Sequence, residues 1–187
     1  MRSPTLIFFI FLFFLNCSKE TIQKEFLIFQ DPFNSNSSSS GSDNINQRLK
    51  KSPCENGMAS IYPCKGYDFI SRITLDEFES KSGNDNWGWT DPETGIEYVI
   101  SGFNDGTAFV SIEDPEDPIY LGKLPTSTFP SDWRDIKVYN SHAFIVSEAP
   151  DHGLQVFDLT RLRGITEFQS FNADVTLQDF GNAHNIA

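Results

Sequence analysis

The pattern of hydrophobic and polar positions distinguishes three kinds of segment along the chain. An unbroken apolar run occupies residues 6–15, and a stretch dominated by Ser and Asn occupies residues 31–53. From residue 84 onward, short runs rich in β-branched and aromatic residues are separated by Asn, Asp, Gly and Pro. Short runs bounded by such turn residues predict an all-β domain of the sandwich, barrel or propeller class.

Internal repetition distinguishes among these classes. The segment DGTAFVSIED at 105–114 aligns with HGLQVFDLTR at 152–161, and EYVIS at 97–101 aligns with AFIVS at 143–147. NWGW and DWRD precede these runs, and NAHN opens a third unit. A period in the forties with about four strands per unit is typical of propeller blades. The alignment makes two sets of inner-strand positions equivalent: Gly88, Arg134 and His184, and Trp89, Asp135 and Asn185.

The apolar run at 6–15 predicts an export signal, because its ten residues rise only about 15 Å as a helix, half of a ~30 Å hydrocarbon core. It closes on FLNC, which resembles a bacterial lipoprotein signal in which Cys17 becomes the lipidated N-terminus. Acyl chains on Cys17 would anchor the chain to a membrane. The alternative is an unmodified cysteine that is removed with the signal. We therefore assign residues 1–16 to a lipoprotein-type signal peptide and residues 17–53 to a flexible Ser/Asn-rich tether.

Two further cysteines, Cys54 and Cys64, form an even pair in an exported chain, which favours a disulfide. Closing a loop of about eleven residues stabilises a fold by roughly 2.5–3 kcal/mol in the chain-entropy model. Zinc binding and free thiols are the alternatives, although the spacing lacks the second cysteine pair or nearby histidines of a zinc site. Residues 54–83 are assigned to this disulfide-bearing segment and residues 84–187 to the repeats.

The order of the motifs resembles one known family. Four segments follow one another within about residues 53–187: NDNWGWTDPETG, SGFNDGTAFVSIEDPEDPIYLGKLPT, WRDIKVYNSHAFIVSEAPDHGLQVFDLTRLRG and GNAHNI. This order closely resembles the choice-of-anchor B proteins, which are built from LVIVD-type repeats and are expected to form a β-propeller. The resemblance implies a bacterial surface or exported protein and implies no reaction. Since a closed ring needs typically four to eight blades, we expect an incomplete propeller, two blades and the start of a third, in a fragment or truncated reading frame.

The net charge of the chain limits the kinds of binding partner that we expect. The chain has 26 acidic and 14 basic side chains and a net charge of −12, opposite in sign to a phosphate-binding surface, so nucleic acid is not an expected partner. The acidic segments DPETG, NDG and EDPED offer oxygens that suit calcium, but they lack EF-hand spacing and are typical of turns. We expect no cofactor and no metal, with calcium as the alternative. The predicted location is the cell envelope, lipid-anchored at the outer membrane surface or extracellular.

Catalytic motifs are absent from the sequence, which contains no G-x-S-x-G, H-E-x-x-H, P-loop or G-x-G-x-x-G, so no catalytic residue is assigned. In a propeller the inner strands line a central channel, where polar groups from different blades converge. Candidate binding residues at the channel mouth are Trp89, Arg134, Asp135, His152 and His184. The alternative is that they make strand-end hydrogen bonds and core contacts. The predicted function is a binding or adhesion module for an extracellular protein or glycan; the alternative is an extracellular propeller enzyme, with or without a metal.

Overall fold

The computed structural model describes residue 49 and residues 51–187, in which the regular structure is β-strand apart from one short 3-10 helix. The strands are β1 Met58–Ala59, β2 Tyr62–Pro63, β3 Gly83–Thr90, β4 Glu97–Phe103, β5 Gly106–Ser111, β6 Ile119–Pro125, β7 Arg134–Tyr139, β8 His142–Ser147, β9 Leu154–Asp158, β10 Gln169–Ser170 and β11 Val175–Leu177. The prediction of an all-β chain is therefore confirmed. The predicted signal peptide, Cys17 and most of the tether lie outside the described residues. No helix in the described part of the chain is long and apolar enough to cross a bilayer.

The larger sheet has five strands in the order β10-β6-β5-β4-β3. Strands β3 to β6 form an antiparallel meander, and β10 adds in parallel orientation to β6, with Gln169 opposite Gly122. Gly122 permits this close approach, because its φ is +152° and a Cβ atom there would overlap the carbonyl oxygen of Gln169. A side chain at this position would therefore exclude β10 from the sheet.

The second large sheet has four antiparallel strands in the order β11-β9-β8-β7. A turn at Asn140 and Ser141 joins β7 to β8, and both residues have positive φ, as a type I′ hairpin turn requires. Strand β9 leads into the 3-10 helix Leu159–Leu162, whose N-cap Asp158 accepts a hydrogen bond from the Thr160 amide. Each large sheet thus contains one four-stranded antiparallel unit.

The main hydrophobic core is formed by side chains of both large sheets. Ile100 and Phe109 come from the five-stranded sheet, Ile145 and Phe157 come from the four-stranded sheet, and all four are fully buried. The rings of Phe109 and Phe157 stack with their centroids 4.4 Å apart. Burying a side chain of this size stabilises a fold by about 1.5–3 kcal/mol. This cluster therefore holds the facing sides of the two sheets together.

A second, smaller core covers the opposite face of the five-stranded sheet. Phe78, from the segment before β3, packs on Phe103 with ring centroids 4.6 Å apart. Lys123 Nζ donates to the Phe78 carbonyl oxygen at 2.7 Å and pairs with Asp105 at 2.8 Å. The segment that precedes β3 therefore acts as a cover for that face.

The disulfide between Cys54 and Cys64 is present, with the two Cα atoms 5.8 Å apart. It closes the loop that contains the β1–β2 hairpin, in which Met58 pairs with Pro63. The prediction of an oxidised pair, rather than of zinc ligands or free thiols, is confirmed.

Candidate functional site

The candidate site lies where β3 and β7, the first strands of the two four-stranded units, run beside each other. These are the strands that the sequence predicts as inner strands, and we keep that term for them. Asn84 Nδ2 donates to the carbonyl oxygen of Arg134 at 2.8 Å. Asp85 Oδ2 accepts a hydrogen bond from the amide of Ile136 at 2.9 Å. Side chains of the first inner strand thus bind the backbone of the second.

The same link occurs again one unit further along the chain. Asp135 Oδ2 accepts a hydrogen bond from the amide of Ile186 at 2.7 Å, and in both links the donor lies 51 residues after the carboxylate. Asp85 and Asp135, which are 50 residues apart, therefore occupy equivalent positions. The sequence alignment had instead made Trp89 the residue equivalent to Asp135.

Differences in loop length explain why the alignment missed this equivalence. The first and second strands of the five-stranded sheet are joined by the loop 91–96, whereas the corresponding connection in the other sheet is the turn at 140–141. A register irregularity between Gly83 and Asn86 adds to the difference. The inner strands are therefore displaced relative to the apolar second strands, whose pattern dominated the alignment.

A cavity of about 180 Å³ opens at this end of the inner strands. We name it the inner-strand cavity. Its two carboxylates, Asp85 and Asp135, are half-buried, whereas the amide, imidazole and indole side chains around them are exposed. The lining residues are Asn84, Asp85, Trp133, Arg134, Asp135, His184 and Asn185.

Asp135 is held in its ionised form. Burial opposes its ionisation, but hydrogen bonds from the Ile186 amide and Lys137 outweigh this effect and hold the pKa of Asp135 below its ordinary value. Lys137 Nζ lies 3.0 Å from Asp135 Oδ1 and 4.6 Å from the ring centroid of Trp87. The cavity thus contains a negative charge that one lysine partly compensates.

His184 and Trp133 form the outer wall of the cavity. Their ring centroids are 5.7 Å apart, and His184 Nδ1 lies 2.6 Å from Glu148 Oε1. The Trp133 backbone is fixed, because its carbonyl oxygen accepts hydrogen bonds from Ser147 Oγ at 2.9 Å and from the Glu148 amide at 3.2 Å. The indole itself remains 48% exposed.

Arg134 contributes to the cavity wall, but its guanidinium group lies between the sheets. The side chain is 1% exposed; Nε donates to the Phe103 carbonyl oxygen at 3.1 Å and Nη1 lies 2.9 Å from His152 Nε2. Its Nη2 has no hydrogen-bond partner among the described residues. Burial of the charged group lowers the pKa of Arg134 to about 10.

His152 is fully buried beside this guanidinium. Its Nδ1 lies 3.0 Å from the Gly153 carbonyl oxygen, which assigns the proton to Nδ1 and leaves Nε2 to accept from Arg134. Burial lowers the pKa of His152, and the neighbouring Arg134 charge adds to this effect. The neutral imidazole is therefore the form that fits this pair.

The structure brings together three of the five predicted channel-mouth residues: Arg134, Asp135 and His184. His152 lies behind the cavity, and Trp89 lies in the main core, where it stacks on Tyr98 with ring centroids 5.2 Å apart. Sequence reasoning missed four lining residues: Asn84, Asp85, Trp133 and Asn185. A signal for two of them was present, since the Asn-Asp pair at 84–85 precedes the Arg-Asp pair at 134–135 by 50 residues.

Two of the three acidic segments considered for calcium have a carboxylate that is engaged by other protein groups. Asp91 is fully buried; Oδ1 accepts the Glu93 amide, and both carboxylate oxygens bind Arg163 at 2.7 Å. The hydrogen bonds from Arg163 hold the pKa of Asp91 well below its usual range. Asp105 is paired with Lys123. Over residues 49 and 51–187, no three His, Cys, Asp or Glu side chains are grouped so that they could hold a metal ion.

Comparisons of this chain with protein-family models, with curated proteins and with solved structures give no match.

Proposed function

We propose that the two large sheets are consecutive blades of a β-propeller with LVIVD-type repeats, in a cell-surface protein of the choice-of-anchor B kind that acts as a binding module. The repeated link supports the blade interpretation: Asp85 binds the next inner strand, and Asp135 makes the same hydrogen bond 50 residues later. A contact that recurs at fixed spacing propagates one geometry from unit to unit, as repeat architectures require.

One observation carries the binding function: the inner-strand cavity presents polar groups that the fold does not use. The side chain of Asn185 makes no hydrogen bond with any described residue, and His184 uses only Nδ1, toward Glu148. Polar groups that converge on one concavity can engage a single ligand together, whereas the same groups on a convex surface bind only water. The proposed ligand is part of an extracellular protein or glycan.

Thermal unfolding of the full chain in the presence of a chemically diverse panel tests the binding function. The panel contains amino acids, carboxylates, amines, nucleotides, methyl glycosides and divalent cations, each at millimolar concentration. A ligand at 100 times its Kd stabilises the folded state by about 2.7 kcal/mol, which raises Tm measurably. At least one class should raise Tm in the wild type.

Asn185→Trp fills the cavity and should abolish that increase, while Asn172→Trp, at an exposed asparagine outside the cavity, should retain it. If no class raises Tm, or if both tryptophan variants respond like the wild type, the cavity is not a binding site.

Attachment to the membrane through Cys17 is the second part of this proposal, supported by the apolar run that ends at FLNC. Stable anchoring needs more than one acyl chain, which lipoprotein modification supplies. Replacing Cys17 by serine should therefore remove metabolic palmitate labelling and release the protein from the membrane fraction. Persistent labelling of Cys17→Ser would contradict the anchor.

A further inference from the structure

We propose that the inner-strand cavity binds a single ring of a neutral or amino sugar, with Trp133 as the stacking wall. This inference rests on the proposed binding function and names its ligand class. A sugar ring has an apolar C–H face and an edge of hydroxyl groups, each both donor and acceptor. The cavity offers a complementary surface for each.

The apolar face has its partner in Trp133. The indole is 48% exposed, lines the cavity and lies beside the His184 ring. Its backbone is held by Ser147 and Glu148, so the indole lies on a hydrogen-bonded segment directly before β7. An exposed aromatic ring on such a support loses little conformational freedom when a ligand packs on it.

The hydroxyl edge has partners around the floor of the cavity. The Asp85 and Asp135 carboxylates accept hydrogen bonds, while the amides of Asn84 and Asn185 both donate and accept. This mixture suits hydroxyl groups better than a metal ion, because a cation is served by acceptors alone. The carboxylates also repel an acidic sugar and attract a protonated amine.

The size of the cavity selects one ring. Its volume of about 180 Å³ is well above what one water molecule needs, so a small polyhydroxy ring can enter it. We therefore expect recognition of a single sugar unit.

Saturation-transfer NMR with three probes tests the sugar class: methyl glucoside, methyl glucosaminide and methyl glucuronide. The first two should bind the full wild-type chain in the millimolar range, and the glucuronide should bind at least tenfold more weakly. Trp133→Ala should weaken binding about tenfold and Asn185→Ala about three- to tenfold. Trp133→Phe, which keeps an aromatic wall, should stay within about threefold of the wild type.

Tyr139→Ala is the matched control, because Tyr139 is an aromatic residue that is 77% exposed and lies outside the cavity lining. It should bind like the wild type, and all variants should melt within a few degrees of it. The proposal fails if no glycoside binds, if Tyr139→Ala loses as much affinity as Trp133→Ala, or if EDTA abolishes binding. If no glycoside binds while another ligand class raises Tm and Asn185→Trp blocks that increase, only the sugar assignment is refuted; if nothing binds, the proposed function fails as well.

Discussion

Replacing Arg134 by alanine should lower the free energy of unfolding by about 2 kcal/mol. The reason is that the guanidinium group occupies space between the two large sheets and donates to two buried acceptors there. Its side chain is 1% exposed and bonds to the Phe103 carbonyl oxygen and to His152 Nε2. Alanine removes both donors and leaves both acceptors buried. If Arg134 were instead a ligand donor at the channel mouth, its loss would weaken binding and largely spare the fold.

Opposing contributions set the magnitude. Leaving the Phe103 carbonyl and His152 Nε2 unsatisfied costs about 1–3 kcal/mol each, and losing two methylenes of the stem costs about 0.8 kcal/mol each. Against this, burial lowers the pKa of Arg134 from 12.5 to about 10. At about 1.36 kcal/mol per pH unit, the buried charge costs roughly 3 kcal/mol, which alanine removes. Arg134→Met keeps most of the stem, so its loss should be only about 1 kcal/mol.

Urea and thermal unfolding of the full chain, followed by tryptophan fluorescence, measure both variants. At about 2–4 °C per kcal/mol for a chain of this size, Arg134→Ala should melt roughly 4–8 °C below the wild type. Arg72→Ala, at an exposed arginine, is the control and should stay within about 0.5 kcal/mol. The reasoning is refuted if Arg134→Ala unfolds with the wild type or if Arg134→Met is the less stable of the two.

Two further predictions concern the backbone and the pH dependence. Gly153 has φ +65°, and a Cβ atom there would overlap a carbonyl oxygen of β11, so Gly153→Ala should cost more than about 1–3 kcal/mol and remove hydrogen-exchange protection from β11. Gly88→Ala, where a Cβ meets open space, should be close to neutral; equal effects would count against the position of β11. Because the pKa of His152 is lowered by burial, the unfolded chain binds its proton first as pH falls below about 6.5, and stability should decrease there. His152→Gln should remove that decrease, and His142→Gln, at a half-buried histidine in the β7–β8 hairpin, should keep it; an unchanged pH profile in His152→Gln would contradict the assignment.

The sequence predicts the β architecture and the disulfide because both have strong local signals. Short apolar runs between turn residues fix strands such as β4 and β8, since alternate side chains must face a core. Cys54 and Cys64 are an even pair in a chain with an export signal, and oxidation is the ordinary outcome there. Neither inference needs any knowledge of how distant segments meet.

The inner-strand cavity was only partly predictable, because it depends on how two sheets are placed against each other. Arg134 and Asp135 are adjacent in sequence, yet they face opposite sides of one strand: Arg134 is buried between the sheets and Asp135 lies toward the next unit. Trp89 appeared to match Asp135 because the apolar runs of the second strands repeat well. The spacing of 50 residues between the Asn-Asp pair at 84–85 and the Arg-Asp pair at 134–135 carries the correct equivalence, but the longer apolar repeats outweighed this short signal.

The aspartates that link the units also line the inner-strand cavity, so the same residues serve the fold and the candidate site. Three pairs of adjacent residues line the cavity: Asn84 with Asp85, Arg134 with Asp135, and His184 with Asn185. The first residue of each pair differs in chemistry, whereas the second residue is an aspartate in two of the three pairs. Each of the two aspartates uses one oxygen to hold the following backbone amide, so removing it would loosen the stack. The first residues of these pairs also serve the fold, since Asn84 donates to the Arg134 carbonyl oxygen and Arg134 is a buried contact between the sheets. Asn185 differs, because its side chain lines the cavity and makes no hydrogen bond with a described residue. Asn185→Ala is therefore expected to weaken ligand binding and to leave the free energy of unfolding unchanged, whereas Asp85→Ala should weaken binding and lower the free energy of unfolding together.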